Sequence, residues 1–281
     1  MEFEKWQALG NDYLIVEEGQ LPVPVSPERV RLICDRHYGP GGDGLILVEP
    51  ASIPEAVASL RIFNPDGSEA ELSGNGVRQA VMFLRRSGRV STDTFMVETA
   101  AGPIRPTIHD DGRCSVEMGL ATTMSDDFPS GGDDGIGTVS AGGREWNFRH
   151  VSIGNPQCAI EVGAELEELQ LDDLGPEIEN SSLFPNRTNV SFYRASGGRV
   201  RARIFERGVG ETLSSGTGAA GAAIAAHLDG APESIQVELD GGELEVELGE
   251  DLSVTLTGWA EPVYRGKITP ELIDELAKAP E

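Results

Sequence analysis

The sequence contains one pattern twice, and this repeat constrains the fold more than any other feature. RIFNPDGSEAELSGNGVRQAVMFLRRSG, residues 61–88, aligns without a gap with RIFERGVGETLSSGTGAAGAAIAAHLDG, residues 203–230. The two stretches share Arg-Ile-Phe, a Glu, Ser-Gly-x-Gly and a final Gly. Three further blocks recur in the same order: 9–18 with 153–162, 97–108 with 237–248, and 115–119 with 254–258. Four blocks in one order predict two copies of a single domain.

Each copy combines short β-branched strands with one strong helix signal. Val77, Val81 and Leu84 fall on one face of the first predicted helix, which should end at Gly88. The second, AAGAAIAAHLDG, is apolar nearly all round, which is typical of a helix inside a core. We therefore expect an α/β (α+β) fold of two pseudo-symmetric domains, each a curled mixed or antiparallel sheet around a central helix.

The domain boundaries follow from the repeat and from the composition of the chain between its copies. We place the first domain at residues 1–120, together with a C-terminal tail at 263–281, and the second at 121–262. The polar, Gly-rich stretch 122–137 is typical of a linker or an exposed loop. The tail predicts a short amphipathic helix.

The chain is strongly acidic, with 47 Asp and Glu against 22 Lys and Arg and a formal net charge of −25. This charge argues against nucleic acid and anionic membranes as partners, because both need a basic surface. The acidic, alternating N-terminus is not a signal peptide, and no apolar run approaches the ~20 residues of a membrane span. Three cysteines and four histidines lie scattered, without metal-site spacing. We expect a cytoplasmic protein without a metal site.

The repeated Ser-Gly-x-Gly motif, at residues 73–76 and 215–218, stands at the start of each predicted helix. Its glycines leave backbone amides unshielded at a helix N-terminus, where they can bind a carboxylate or a phosphate. The simpler interpretation is that Ser73 and Ser215 are helix N-caps. Phosphate-loop and nucleophile-elbow patterns do not match, and the only lysines, near the termini, make a pyridoxal-phosphate enzyme improbable.

Two equivalent turns suit a reaction that inverts a carbon stereocentre. One group removes a proton from one face and another delivers a proton to the opposite face. The helix N-termini would stabilise the substrate carboxylate as it gains enolate character. Glu69 and Glu211, each four residues before its serine, are also repeated, which simple caps would not require.

The blocks GNDY, NPDGSEAELSGNGVR, GNPQCAIEV, RTNV and ERGVGETLSSGTGA resemble the diaminopimelate epimerase family over nearly the whole chain. The resemblance implies a cofactor-free racemase chemistry without pyridoxal phosphate. Two bases would convert LL- to meso-diaminopimelate, a small amino-acid substrate, in lysine and cell-wall biosynthesis. A homodimer is a further expectation, and the C-terminal tail should return to the first domain.

The resemblance also implies which residues meet the substrate. The residues implied for its distal end are Asn64, Asn155, Asn189, Glu206 and Arg207. Asn11 would lie near the reacting end, and the amides of Gly74–Asn75 and Gly216–Thr217 would hold the reacting carboxylate. These assignments are chemically sensible, because Arg207 can pair with a carboxylate and Glu206 with an ammonium group.

The sequence departs from the family pattern at its proton-transfer positions. The family's two catalytic cysteines fall at Ser73 and Ser215, and its histidine after Gly-Asn-Pro is Gln157. A helix end contributes roughly 0.3–1 kcal/mol, less than the ~1.36 kcal/mol of one pKa unit. A serine hydroxyl therefore needs a partner, such as His37 or an acidic residue.

Two alternatives remain beside the epimerase. The chain could bind diaminopimelate as a pseudoenzyme without turnover, since the departures are concentrated at the proton-transfer positions. It could also be a related cofactor-independent racemase or dehydratase for proline-type or histidine-type substrates. Arg207 and the three asparagines argue against this last class, because they would hold a second amino-acid group.

Overall fold

The computed structural model describes residues 1–280 and divides the chain into two compact units. The first unit is Met1–Val116 with the chain from Gly258 onward, and the second is Glu117–Thr257. The boundaries inferred from the sequence, after residues 120 and 262, remain a proposal. Glu281, the last residue of the predicted tail, lies outside the described residues. Within residues 1–280, no helix has the length and apolar character needed to cross a membrane.

The first unit is a twisted sheet with three helices. Its strands are β1 Glu2–Ala8, β2 Asn11–Glu17, β3 Gly44–Glu49, β4 Ala56–Phe63, β5 Glu69–Ala70, β6 Met96–Thr99, β7 Gly102–Ile104 and β19 Glu261–Lys267. A further short strand, β8 Thr107–Ile108, pairs with the strand at Cys114–Leu120 and not with this sheet. Its helices are α1 Pro27–Cys34, α2 Gly74–Arg86 and α5 Pro270–Lys278, with a 3-10 turn at Glu18–Gln20. Strand β9, Cys114–Leu120, carries the chain into the second unit.

The second unit is built in the same way. Its strands are β10 Ile136–Ala141, β11 Arg144–Ser152, β12 Pro156–Glu161, β13 Asn189–Ser196, β14 Arg199–Glu206, β15 Gly210–Thr212, β16 Ser234–Leu239, β17 Gly242–Leu248 and β18 Ser253–Gly258. Its helices are α3 Leu171–Glu179 and α4 Gly216–Leu228, with a 3-10 turn at Ala164–Glu168.

The strand order shows that the two units are copies of one fold. In the first unit the order β2-β3-β4-β6-β7 has parallel, antiparallel, parallel and antiparallel neighbours, and β5 pairs with β4. In the second unit β12-β13-β14-β16-β17 repeats these four pairings, and β15 pairs with β14. The prediction of two mixed sheets, each with a central helix, is confirmed.

Helices α2 and α4 are the central helices, and each packs on its sheet in a different way. In α2 the predicted face is fully buried, because Val77, Val81 and Leu84 are each 0% exposed. In α4 the contact side is made of Ala and Gly. A Cβ on Gly218 would lie 2.7 Å from Ile204, so the helix backbone must run close to the sheet.

Two segments outside the repeats take part in the cores. The C-terminal helix α5 docks in the first unit, where Leu276 is fully buried and its carbonyl accepts a hydrogen bond of 3.0 Å from Arg29 Nε. The Gly-rich stretch 122–137 is a loop, but Phe128 within it is 5% exposed and packs against Phe148. This aromatic anchor makes the stretch part of the second unit's core, which the linker interpretation did not anticipate.

Candidate active site

In the first unit, the candidate site residues are grouped at the N-terminus of α2. Ser73 has extended backbone angles (φ −136°, ψ 115°), and its Oγ accepts a hydrogen bond of 3.1 Å from the Gly76 amide. Ser73 is thus an N-cap, and the helix begins at Gly74, followed by Asn75. The first amides of a helix have no acceptor within it, so this turn can bind an anion. The Tyr13 hydroxyl donates to Ser73 Oγ at 3.5 Å.

The start of strand β2 is tied to the same helix. Gln79, one turn and a half beyond Ser73, accepts from the Tyr13 amide at 3.1 Å and donates to the Asn11 carbonyl at 3.0 Å. The Asn11 side chain donates its Nδ2 to Asp43 Oδ2 at 3.2 Å. The two bonds of Gln79 hold the backbone of Asn11 and Tyr13 against helix α2, which begins next to Ser73.

A charged cluster lies behind Asn11. Burial opposes ionisation of Asp12, but hydrogen bonds from Arg36 and Lys5 lower its pKa to about 2. Arg36 Nη2 donates to Asp12 Oδ1 at 2.6 Å and to Asp43 Oδ1 at 2.7 Å. Burial raises the pKa of Asp43 above its usual range. Arg36 thus holds Asp43 in place, and Asp43 accepts the hydrogen bond that orients the Asn11 side chain.

Asn64 is placed in the turn after β4. Its amide bonds the Ser68 carbonyl at 2.8 Å, and its Nδ2 donates to Ser68 Oγ at 3.0 Å. Gly67 completes the turn with φ +88°, and a Cβ there would lie 2.4 Å from the Pro27 carbonyl oxygen. The turn therefore needs glycine at that position. The structure does not join Asn64 to Ser73 by a hydrogen bond.

In the second unit, the candidate site residues are grouped at the N-terminus of α4. Ser215, 3% exposed, caps the helix by accepting from the Gly218 amide at 3.3 Å. Its hydroxyl also donates to Glu206 Oε2 at 3.0 Å. Glu206 Oε1 accepts from Thr212 Oγ1 at 2.7 Å. An acidic residue thus contacts Ser215, whereas His37 lies exposed after α1 and its amide bonds Asp35.

Beside this turn, two hydrogen bonds link the side chains of Gln157, Asn155 and Thr217. Asn155 Nδ2 donates to Thr217 Oγ1 at 3.2 Å, and Gln157 Nε2 donates to Asn155 Oδ1 at 2.6 Å. Gln157 is 0% exposed, and its Oε1 has no hydrogen-bond partner among residues 1–280. Gln157 orients Asn155, and unlike a histidine it carries no titratable group.

The Asn189 side chain bonds the backbone of Arg207. Asn189 is 4% exposed, and its Oδ1 accepts from the Arg207 amide at 2.8 Å while its Nδ2 donates to the Pro156 carbonyl at 3.1 Å. The buried Glu179 accepts from the Gly208 amide at 2.9 Å and fixes the same turn. Asn189 stays a predicted substrate ligand, and in this structure it holds the turn that carries Arg207.

The repeated glutamates have a structural explanation that the sequence did not supply. Glu69 pairs with Arg61 through two contacts of 2.8 Å, across the β4–β5 hairpin. Glu211 pairs with Arg203 at 2.9 Å, across the β14–β15 hairpin. Because each glutamate forms an ion pair next to its turn, their repetition is no sign of a chemical role. Sequence reasoning missed Tyr13 and Thr212, although Tyr13 lies in the GNDY block.

The turn in each unit combines hydroxyl groups with the first backbone amides of a helix, and buried thiols are not part of this set. Burial raises the pKa of Cys34 and of Cys114 to about 12, so neither thiol is a nucleophile near neutral pH. Within the described part of the chain, no three His, Cys, Asp or Glu residues are grouped in a way that could hold a metal ion.

Comparison of the sequence with known proteins identifies one family over most of the chain. The family model for diaminopimelate epimerase matches residues 3–124 and 149–263. A diaminopimelate epimerase from Synechococcus sp. (strain JA-3-3Ab) is 40% identical over 278 residues, which cover 95% of this chain and 97% of that relative. A chloroplastic diaminopimelate epimerase from Oryza sativa subsp. japonica is 39% identical, covering 95% of this chain and 79% of its own length.

The structural comparison agrees on the fold. The crystal structure of a hydroxyproline epimerase from Agrobacterium vitis, with bound trans-4-hydroxy-L-proline, superposes with a TM-score of 0.70 at 17% identity. The match covers 97% of this chain and 94% of that one. At this identity the likeness shows the fold alone, whereas the sequence matches above identify the family. The chain belongs to the diaminopimelate epimerase family.

Proposed function

We propose that the protein interconverts LL- and meso-diaminopimelate without a cofactor, with Ser73 and Ser215 as the two proton-transfer groups. One observation carries the proposal: the Ser215 hydroxyl donates to the Glu206 carboxylate at 3.0 Å. This distance lies within the hydrogen-bond reach that a general base needs. The carboxylate is the activating partner that a serine hydroxyl requires.

In the proposed reaction, Ser215 accepts the α-proton while its own proton passes to Glu206. The reacting carboxylate binds to amides at the helix N-termini, where Gly74 and Gly216 leave the backbone unshielded. These amides stabilise the negative charge that the carboxylate gains as the α-proton leaves. On the opposite face of the carbon, Ser73 delivers a proton and recovers one from the Tyr13 hydroxyl.

The remaining predicted ligands would hold the distal end of the substrate. Arg207 lies on a turn that Asn189 and Glu179 fix, whereas the neighbouring Glu206, a distal ligand by resemblance, is proposed here as the partner of Ser215. Asn155 is oriented by Gln157. This set suits a second amino-acid group, which a proline-type or histidine-type substrate lacks. A cytoplasmic homodimer stays a prediction.

Incubation with LL-diaminopimelate in deuterated water tests the proposal. Formation of meso-diaminopimelate with deuterium at the α-carbon is the expected result. An absence of both deuterium uptake and meso product would refute it.

A diaminopimelate-binding protein without turnover is the second candidate. It is favoured by the partner of Ser73, which is a tyrosine hydroxyl at 3.5 Å rather than a base. Calorimetry separates the two candidates, because tight binding of diaminopimelate without deuterium uptake supports the binding protein. Any measurable turnover excludes it.

A further inference from the structure

Arg78 is a fully buried cation whose role in the fold is not apparent. It lies on α2 one turn beyond the Ser73 cap, and its side chain is 0% exposed. Its Nη2 donates to Asn75 Oδ1 at 2.5 Å. Its Nε and Nη1 have no hydrogen-bond partner, and the described residues 1–280 offer it no salt bridge. A buried charge without a partner costs several kcal/mol, so natural proteins rarely keep one without a function.

No neighbour neutralises this charge. The ionisable group that interacts with Arg78 is the Cys114 thiol, and burial raises the pKa of that thiol to about 12. The thiol is therefore neutral near pH 7. Burial lowers the pKa of Arg78 to about 10, which still leaves the guanidinium protonated. The first unit thus contains an uncompensated positive charge inside its central helix.

The position of Arg78 in the helix adds a second cost. A helix N-terminus is the positive end of the helix dipole, where a cation is disfavoured and an anion is favoured. The first turn of α2 contains no acidic residue that would offset it. In the second unit the position aligned with Arg78 is Ala220, so α4 folds in the same way without such a charge. The repeated fold does not require the arginine.

We propose that Arg78 is a positioning residue that supplies the counter-charge for the reacting carboxylate at the α2 turn and orients Asn75 toward it. The inference rests on the proposed function. Through its bond to Asn75 Oδ1, the guanidinium fixes the side chain of a residue that lies in the first turn of α2. The carboxylate gains negative charge as the α-proton leaves, so the attraction strengthens during the reaction.

The test compares Arg78→Met, which removes the charge at similar length, with Arg78→Lys, which keeps it. Arg85→Met is the matched control, because Arg85 lies on the same helix but pairs with Asp93 at its far end. Calorimetry with LL-diaminopimelate should show affinity reduced roughly 10- to 100-fold in Arg78→Met. Arg78→Lys should retain most of it, and Arg85→Met all of it.

Thermal unfolding without ligand separates this role from a purely structural one. Removing an unpaired buried charge should raise the melting temperature of Arg78→Met by about 2–5 °C. A merely structural arginine would instead lower it. A melting temperature below that of the wild type, or diaminopimelate affinity equal to that of the wild type, would overturn the inference. A wild-type chain that fails to bind diaminopimelate would overturn the proposed function as well, which is a distinguishable result.

Discussion

The hydrogen bond between Ser215 and Glu206 can be removed by one near-isosteric substitution, Glu206→Gln. The amide can keep the bond from Thr212 on one side through its oxygen. Its NH₂ group then faces Ser215 Oγ, where the carboxylate oxygen now accepts at 3.0 Å. The hydroxyl of Ser215 loses the group that takes its proton, while the cap formed with the Gly218 amide stays intact.

The size of the effect follows from the role of the carboxylate. Removing a positioned general base typically slows a reaction by about 10²–10⁴-fold. We expect this loss for α-proton exchange on the face served by Ser215. Ser73 has a separate partner, the Tyr13 hydroxyl, so exchange on its face should fall far less. The substitution should therefore slow α-proton exchange much more for one stereoisomer of the substrate than for the other.

The assay measures initial deuterium uptake from LL- and from meso-diaminopimelate separately, by mass spectrometry or NMR. Glu211→Gln is the matched control, because Glu211 lies on the same hairpin but pairs with Arg203. That variant should retain both exchange rates within a few-fold. If Glu206→Gln slowed both stereoisomers equally, or slowed neither, Glu206 would not be the partner that activates Ser215.

Three further predictions concern the caps, a buried histidine and the packing of α4. Replacing Ser73 and Ser215 together by cysteine should raise the epimerisation rate at least tenfold, measured by deuterium uptake, because a thiol pKa lies near 8.5. Burial lowers the pKa of His150 below 6.5, so its contribution to stability is complete above pH 6.5 and is lost as the pH falls through the folded-state pKa. Urea titrations should show a shallower loss of unfolding free energy below pH 6.5 for His150→Gln than for the wild type. Gly218→Ala should cost about 1–3 kcal/mol of unfolding free energy, since its Cβ would lie 2.7 Å from Ile204. Gly76→Ala, where the nearest contact is 3.3 Å, should cost less in the same titration.

The sequence predicts the architecture well because the signals that determine it are local or repeated. The apolar period of Val77, Val81 and Leu84 identifies one buried helix face. The serine before each Gly-x-Gly identifies the cap, and the internal alignment predicts two copies of one domain. These features depend on residues that are close in the chain or repeated in it, so they can be read from a single sequence.

The contacts that define the chemistry depend on geometry that the sequence does not state. Glu206 and Ser215 meet because the β14–β15 hairpin folds back between them, and its register, Phe205 opposite Glu211, is fixed only in three dimensions. The sequence alone does not distinguish Glu206, which accepts from a serine, from Glu211, which pairs with an arginine. Phe128 could not be placed in the core because its neighbours are polar and glycine-rich.

The same arginine–glutamate ion pair occurs in one hairpin of each unit, so the two units can be compared with each other position by position. Arg61–Glu69 and Arg203–Glu211 are identical in both copies, whereas Asn64 and Glu206, which share one aligned position, differ. After an ancestral duplication, positions that hold a hairpin together would stay the same, while positions with a separate role in each unit would be free to diverge. Replacing a residue in one unit by the residue at the aligned position of the other unit would therefore test what each unit has specialised in.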